Sequence, residues 1–380
     1  MLERTAAPPA ELLARFADDV FPVEVRSAAL QRFGHTHSGR ERPGRYWRID
    51  LDAVSIDDLA FDPACGEVTV VCDDPRVRVG ERPQTLGMTA SGASKFGALA
   101  SAFANRYAFV TIPPDADVER PIVITYRAGT APLFPYTCVH VRRGARATIV
   151  QRIEGDGGAF VCGIVEVVTE DGSDLRVATL QDLPQDARLF LTIGALPGRD
   201  SAFSCATADL GAALVVEEIG VELLAMGAQA QIASIFFPRG SQHVDLRSTV
   251  DHRVGGATSL TTVKSAATDR GQGRYVGNIR IAARAQKSDA SLRDDALLLS
   301  PSAHIDSVPA LEIAANDVKA YHGATVGALD AEMLFYMMTR GIERDAAERM
   351  VTLGFFEPAL ERFPEQLRDE LRGLLAAKIA

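Results

Sequence analysis

No two cysteines of this 380-residue chain are spaced CxxC, and there are only five in all: Cys65, Cys72, Cys138, Cys162 and Cys205. An odd count without a framework spacing argues against a disulfide scaffold or a zinc finger, and points to a reducing compartment, the cytoplasm. No GxxxxGK[ST] occurs, so the chain does not bind ATP through a P-loop, and any ATP-driven step would have to come from another protein. GxSxG, HExxH and a Ser/His/Asp grouping are missing too. No run approaches the roughly 18 to 20 apolar residues that a membrane span requires. The opening "MLERTAAPPAELLARF" has no charged stretch leading into an apolar one, so no secretion signal is expected. Positive charge is also short: 40 Lys and Arg stand against 50 Asp and Glu, which disfavours nucleic acid or an anionic membrane as the main partner.

What is present falls into three regions. Residues 9–33 place Leu12, Leu13, Phe16 and Val20 at helical spacing, and "GASKFGALASAFANRY" places Phe96, Leu99 and Phe103 on one helical side. Between them lies the basic "HTHSGRERPGRYWRID", which holds the single tryptophan, Trp47. From about residue 110 the pattern changes to strand-like runs of five to seven residues, each preceded by a turn signal. Gly144, Gly172, Gly198, Gly227 and Gly256 recur at steps of 26 to 29 residues, with a weaker turn near the middle of most intervals. A fixed period in this range without intervening helices predicts a mainly β fold, a solenoid with two strands per coil. An irregular β-sandwich is the alternative. After Gly327 the pattern turns helical, with Asp330 as an expected N-cap and Gly341 as an expected stop.

Several residues invite a chemical reading, and each has a plainer one. "GQGRYVG" (Gly271–Gly277) lacks GxGxxG spacing and a following helix, so it reads as a solenoid turn. His35 and His37 could hold a metal but more simply sit in a polar loop. Cys138 and Cys162 are 24 apart, near one coil length, and could stack as buried, inert thiols. Asp289, Asp294 and Asp295 could serve a β-helix polysaccharide hydrolase or lyase, or merely line a solvated coil face. His322 sits alone among small residues in "DVKAYHGATVGALD", at the point where strands give way to helices. A lone histidine is usually a structural hydrogen-bonder, but here a solenoid's open edge must be capped or paired.

"PALEIAANDVKAYHGATVGALDAEMLFYMMTRGIERDAAERMVTLGF" resembles the C-terminal signature of the SufB/SufD family of iron–sulfur cluster assembly proteins. "KFGALASAFANRYAFVTIPPDADVERPIVITY" resembles the stretch leading into that family's β-helix, and "RYWRIDL" a Trp-containing segment of its SufD branch. The resemblance implies a right-handed parallel β-helix over 110–326, a mixed and mostly helical region over 1–109, and a helical ATPase-docking region over 327–380. It also implies a non-catalytic scaffold subunit in a cytoplasmic complex, paired with a SufB-like subunit and a SufC-like ATPase, or with itself when made alone. A transient cluster would be carried by the complex, with none bound stably by this chain alone. The SufB branch flanks the histidine with carboxylates and carries an earlier cysteine. Here Tyr321 and Gly323 are the neighbours, "SLRDDALLL" has Asp294 and no cysteine, and Ala320 stands where many SufD sequences have one. His322 is then expected to give one metal ligand shared with a partner cysteine. Leu334, Phe335, Met338, Phe355 and Phe356 are expected to divide between core and ATPase docking.

Overall fold

The computed structural model describes residues 10–35, 56 and 59–379, so His37 and Trp47 lie outside the described residues. In chain order the strands begin with β1 (Glu67–Val71), β2 (Arg78–Val79), β3 (Arg106–Ile112), β4 (Ile122–Ala128), β5 (Pro135–Val141) and β6 (Arg146–Gly155). Next come β7 (Phe160–Thr169), β8 (Asp174–Gln181), β9 (Arg188–Leu196), β10 (Ala202–Asp209), β11 (Leu214–Leu223) and β12 (Gln229–Phe236). The last are β13 (His243–His252), β14 (Thr258–Ala267), β15 (Gln272–Ile281), β16 (Asp289–Leu298), β17 (His304–Ile313) and β18 (Lys319–Ala328).

Alternate strands stack into two nine-stranded sheets. Sheet A runs β1-β4-β6-β8-β10-β12-β14-β16-β18 and sheet B runs β17-β15-β13-β11-β9-β7-β5-β3-β2. All pairings are parallel except those of β1 with β4 and β2 with β3. This is a parallel β-solenoid with two strands per coil. The turns that set its period put one residue of each coil in the left-handed region, where glycine is favoured. Gly144, Gly172, Gly227 and Gly256 fill that place with φ from 68 to 72°. Gly198 does not. In its coil Asp200 takes the left-handed conformation (φ 52°), while a side chain on Gly198 would lie 2.7 Å from the Thr169 carbonyl oxygen. The glycine in that turn is demanded by crowding and not by φ.

Alternation along each strand sorts residues into a dry interior and two outer faces. The column Ile122, Ile149, Val177, Cys205, Ile232, Thr261 and Leu292 is continuous in register and buried between the sheets. The outer face of sheet B is covered by α1 (Leu13–Phe16), α2 (Val23–His35) and α3 (Lys95–Phe103), where Phe96 stacks on Phe190 at 4.0 Å. Glu166 anchors the approach to α3. Buried on β7, it accepts hydrogen bonds from Gly87 N, Thr89 Oγ1 and Ser91 Oγ at 2.7, 2.6 and 3.1 Å. Cys138 and Cys162 share this face but do not stack on each other, which corrects the spacing argument. Opposite Cys138 lies Glu166, and opposite Cys162 lies Phe190. Burial pushes the Cys138 thiol up to about 12 and raises that of Cys162 further, so both are inert.

The outer face of sheet A is covered by α5 (Arg344–Leu360) and α6 (Glu365–Ile379), which bury Phe356, Leu360, Leu367, Leu371 and Leu375 against Val150, Ala178, Ala206 and Ala233. Arg152 on β6 holds Glu370 of α6 through two contacts of 2.7 and 2.6 Å. The Asp330 carboxylate accepts from Glu332 N and Met333 N and starts α4 (Ala331–Thr339), and Gly341 (φ 86°) follows its end.

Candidate functional site

The last coil, β17 and β18, has no strand beyond it among the described residues. Residues that would be interior in any earlier coil are therefore uncovered. His322 is the most informative of them. It pairs in register with Leu292, so it is the final member of the interior column that starts at Ile122. Every earlier member is buried; His322 is exposed. Its neighbours on the interior side of β18 are Ala320, Ala324 and Val326, small or apolar groups that leave the imidazole as the one ionisable side chain of that row. The imidazole is open to solvent and not sealed inside the solenoid.

The coil below holds a second ionisable group. Asp294, register partner of Ala324, points inward from β16 and accepts a hydrogen bond from Ser307 on β17. Burial lifts its carboxyl to about 7, more than the Ser307 bond lowers it. Asp295 points the other way, as consecutive strand residues must. It accepts from Lys264 Nζ at 2.8 Å and Arg293 Nε at 2.9 Å, and those cations hold its carboxyl below the usual range against the effect of burial. Asp289 is exposed at the start of β16. The three carboxylates thus reach the interior, the outer face and a turn, and do not form the facing pair that glycoside hydrolysis needs. No group of three or more His, Cys, Asp or Glu able to hold a metal occurs among the described residues.

Beside the open coil, α4 presents Phe335, Tyr336 and Met338 to solvent, while Leu334 of the same helix is buried. The five apolar candidates therefore separate. Leu334 and Phe356 belong to the core, with Phe356 packed 6.1 Å from Phe237. Phe335, 68% exposed, and Met338 are surface residues, and half-buried Phe355 lies under the Lys264 ammonium at 4.4 Å. His35 ends α2, exposed, with Nδ1 2.7 Å from the Gln31 carbonyl oxygen. The sequence reading missed the acid pair inside the solenoid, Asp209 on β10 and Glu217 on β11. Their only signal was an acidic residue in phase with the buried positions of its strand.

The family model described as "SUF system FeS cluster assembly, SufBD core domain" matches residues 124–355, more than half of the chain, from β4 through most of α5. The chain belongs to the SufBD family. Relatives include an iron–sulfur cluster assembly SufBD family protein of Mycobacterium bovis, 29% identical over 360 residues, 91% of this chain and 86% of that protein. One of Staphylococcus saprophyticus is 24% identical over 287 residues, 74% of this chain and 62% of that protein. One of Mycobacterium leprae is 25% identical over 307 residues, and there the match spans 78% of this chain but only 34% of the relative's length. As a SufBD-family chain it is an iron–sulfur cluster assembly protein. That membership lends nothing to the polysaccharide hydrolase reading, which the divergent aspartates already disfavour. No helix among the described residues is long and apolar enough to cross a membrane.

Proposed function

We propose that this chain is a SufD-like, non-catalytic subunit of a cytoplasmic iron–sulfur assembly scaffold. Its open coil meets a SufB-like subunit, and its C-terminal helices engage a SufC-like ATPase. The observation that carries this reading is the exposed His322 at the end of a buried column. A second solenoid set end to end would return the imidazole to an interior, where one nitrogen and a partner's cysteine thiolate can share a nascent cluster. Imidazole is a competent iron ligand, and a mixed Cys/His set suits a cluster that must be handed on. The same place also suits a proton acceptor during assembly. The branch assignment rests on Tyr321, Gly323 and Ala320 beside the histidine, and on the cysteine-free strand β16. Absence of a P-loop sequence makes an ATPase partner necessary for any energy-driven step, and exposed Phe335 and Met338 supply an apolar surface for it. The regions 1–109, 110–326 and 327–380 would then serve as lid on sheet B, solenoid and docking region. Affinity purification of the tagged chain from its own host tests this. The expected result is recovery of a second SufBD-type subunit with a P-loop ATPase. Recovery of neither, from cells that are assembling clusters, would overturn the reading.

A further inference from the structure

The helices on sheet A leave one row of its outer face in the open, and a cavity lies along their margin. Val177, Cys205 and Ile232 point into the solenoid, so the residues before them, Arg176, Ser204 and Gln231, stand on the outer face. These three are partners in register on β8, β10 and β12, and at the usual strand spacing their row spans roughly 10 Å. The next row, Ala178, Ala206 and Ala233, is small and lies under α5 and α6. Where α5 gives way to α6, Glu361, Arg362 and Arg368 line the other side of a cavity of about 260 Å³.

Charge in this cavity runs against that of the chain. The whole carries 50 acidic and 40 basic side chains, yet the lining has three guanidiniums, Arg176, Arg362 and Arg368, and two carboxylates, Asp174 and Glu361. Elsewhere around α5 and α6 the arginines are matched: Arg152 holds Glu370 at 2.6 Å and Arg372 holds Glu357 at 2.8 Å. Among the described residues Arg176 and Arg362 have no such partner. Arg368 donates to the Phe363 and Glu361 carbonyl oxygens at 2.9 and 2.8 Å, which fixes its guanidinium against the end of α5. Ser204 and Gln231 add a hydroxyl and an amide, so donors come from both the sheet and the helix corner. A guanidinium fork matches carboxylate or phosphate oxygens, and its bonds to an anion are roughly twice as strong as neutral ones. A row of roughly 10 Å is too long for one such group. The volume of about 260 Å³ is in turn below the roughly 300 to 1,000 Å³ of pockets for drug-sized ligands. We propose that this cavity binds a small polyoxyanion with two anionic groups, one held by Arg176 and one by Arg362, the size of a diphosphate or a tricarboxylate. The bound anion ties the helix corner to the solenoid. The site is separate from the open coil, and its test needs this chain alone.

The test is isothermal titration calorimetry of the full chain with pyrophosphate, citrate and inorganic phosphate, at one ionic strength set by chloride. Pyrophosphate or citrate should bind once per chain with a dissociation constant below about 1 mM, and inorganic phosphate at least about tenfold more weakly. Binding of pyrophosphate alone assigns phosphate as the group the site takes, and binding of citrate alone assigns carboxylate; either supports the site. Arg176→Gln and Arg362→Gln should each weaken binding by at least about tenfold, whereas Arg120→Gln, at an exposed position before β4, should leave it unchanged. The anion should also raise the melting temperature of the unaltered chain and not that of Arg176→Gln. Should either variant melt well below the unaltered chain without ligand, Gln231→Leu, which keeps every charge and removes one amide, takes its place and should weaken binding several-fold. Absence of saturable binding, inorganic phosphate held as tightly as the larger anions, affinity that survives the folded variants, or an equal loss on Arg120→Gln overturns the proposal.

Discussion

At its first coil the solenoid meets two short antiparallel strands, β1 against β4 and β2 against β3, whereas its last coil ends on β17 and β18 in parallel register with no further strand among the described residues. The contrast is not for want of chain. After β18 the sequence supplies three more helices, α4 to α6, and two of them are laid on the outer face of sheet A and not across the end. An uncovered end exposes backbone donors and acceptors in a row, which proteins ordinarily blunt. Helices are at hand, yet among the described residues no strand pairs with the last coil, which is the feature on which the proposed pairing with another chain rests. The N-terminal end teaches the converse, because reversing strand direction is enough to stop a solenoid.

The comparison can be broken first at the helices that cover sheet A. Phe356→Ala empties a fully buried site against Phe237 and should cost about 3–5 kcal/mol in urea unfolding. A loss below about 1 kcal/mol would mean that α5 is not part of the folded unit. The interior offers a second handle. Burial raises Asp209 to about 7, above the ~3.9 of an unfolded aspartate, so the native state holds this proton more tightly. The stability this gives is full below about pH 4 and is lost as pH rises through about 7. The melting temperature should therefore drop between pH 6 and pH 8, and Asp209→Asn, neutral at every pH, should shrink that drop. An unchanged drop would place the titrating group elsewhere.

Smaller effects sharpen the difference between core and surface. Arg152→Ala removes the two-pronged contact with Glu370, which is only partly buried, and should cost up to about 1 kcal/mol, less in high salt. Phe335→Ala should leave stability within about 0.5 kcal/mol while weakening capture of the ATPase partner. If Phe335→Ala instead destabilises the chain alone, the residue belongs to the core.

The period of turn glycines was enough to predict a two-stranded solenoid, because each coil repeats one backbone requirement at one place. Gly198 fell into the series by spacing, though Asp200 adopts the left-handed turn there. Conformation, unlike composition, is not fixed by a glycine's presence. Spacing also suggested that Cys138 and Cys162 stack; the register sets each against another residue, since strand offset depends on the turns between them. Phe355 and Phe356 were legible as a pair that no narrow helix face could bury, yet which one turns inward depends on Phe237, more than a hundred residues away. His322 stood out by isolation, but its place as the last of an interior column emerges only from the pairing of eight strands. The Asp209 and Glu217 pair was hidden because an acidic residue in a strand looks the same whether it faces solvent or core, and β11 carries Glu218 and Glu222 beside Glu217.

The most direct test concerns His322. In a complex reconstituted with the proposed SufB-like and SufC-like partners, cluster formation is followed by visible absorbance, with the melting temperature measured on the same preparation. His322→Ala should melt as the unaltered chain does and still form the complex, yet fail to mature clusters. Clusters forming at the ordinary rate on His322→Ala would contradict the account.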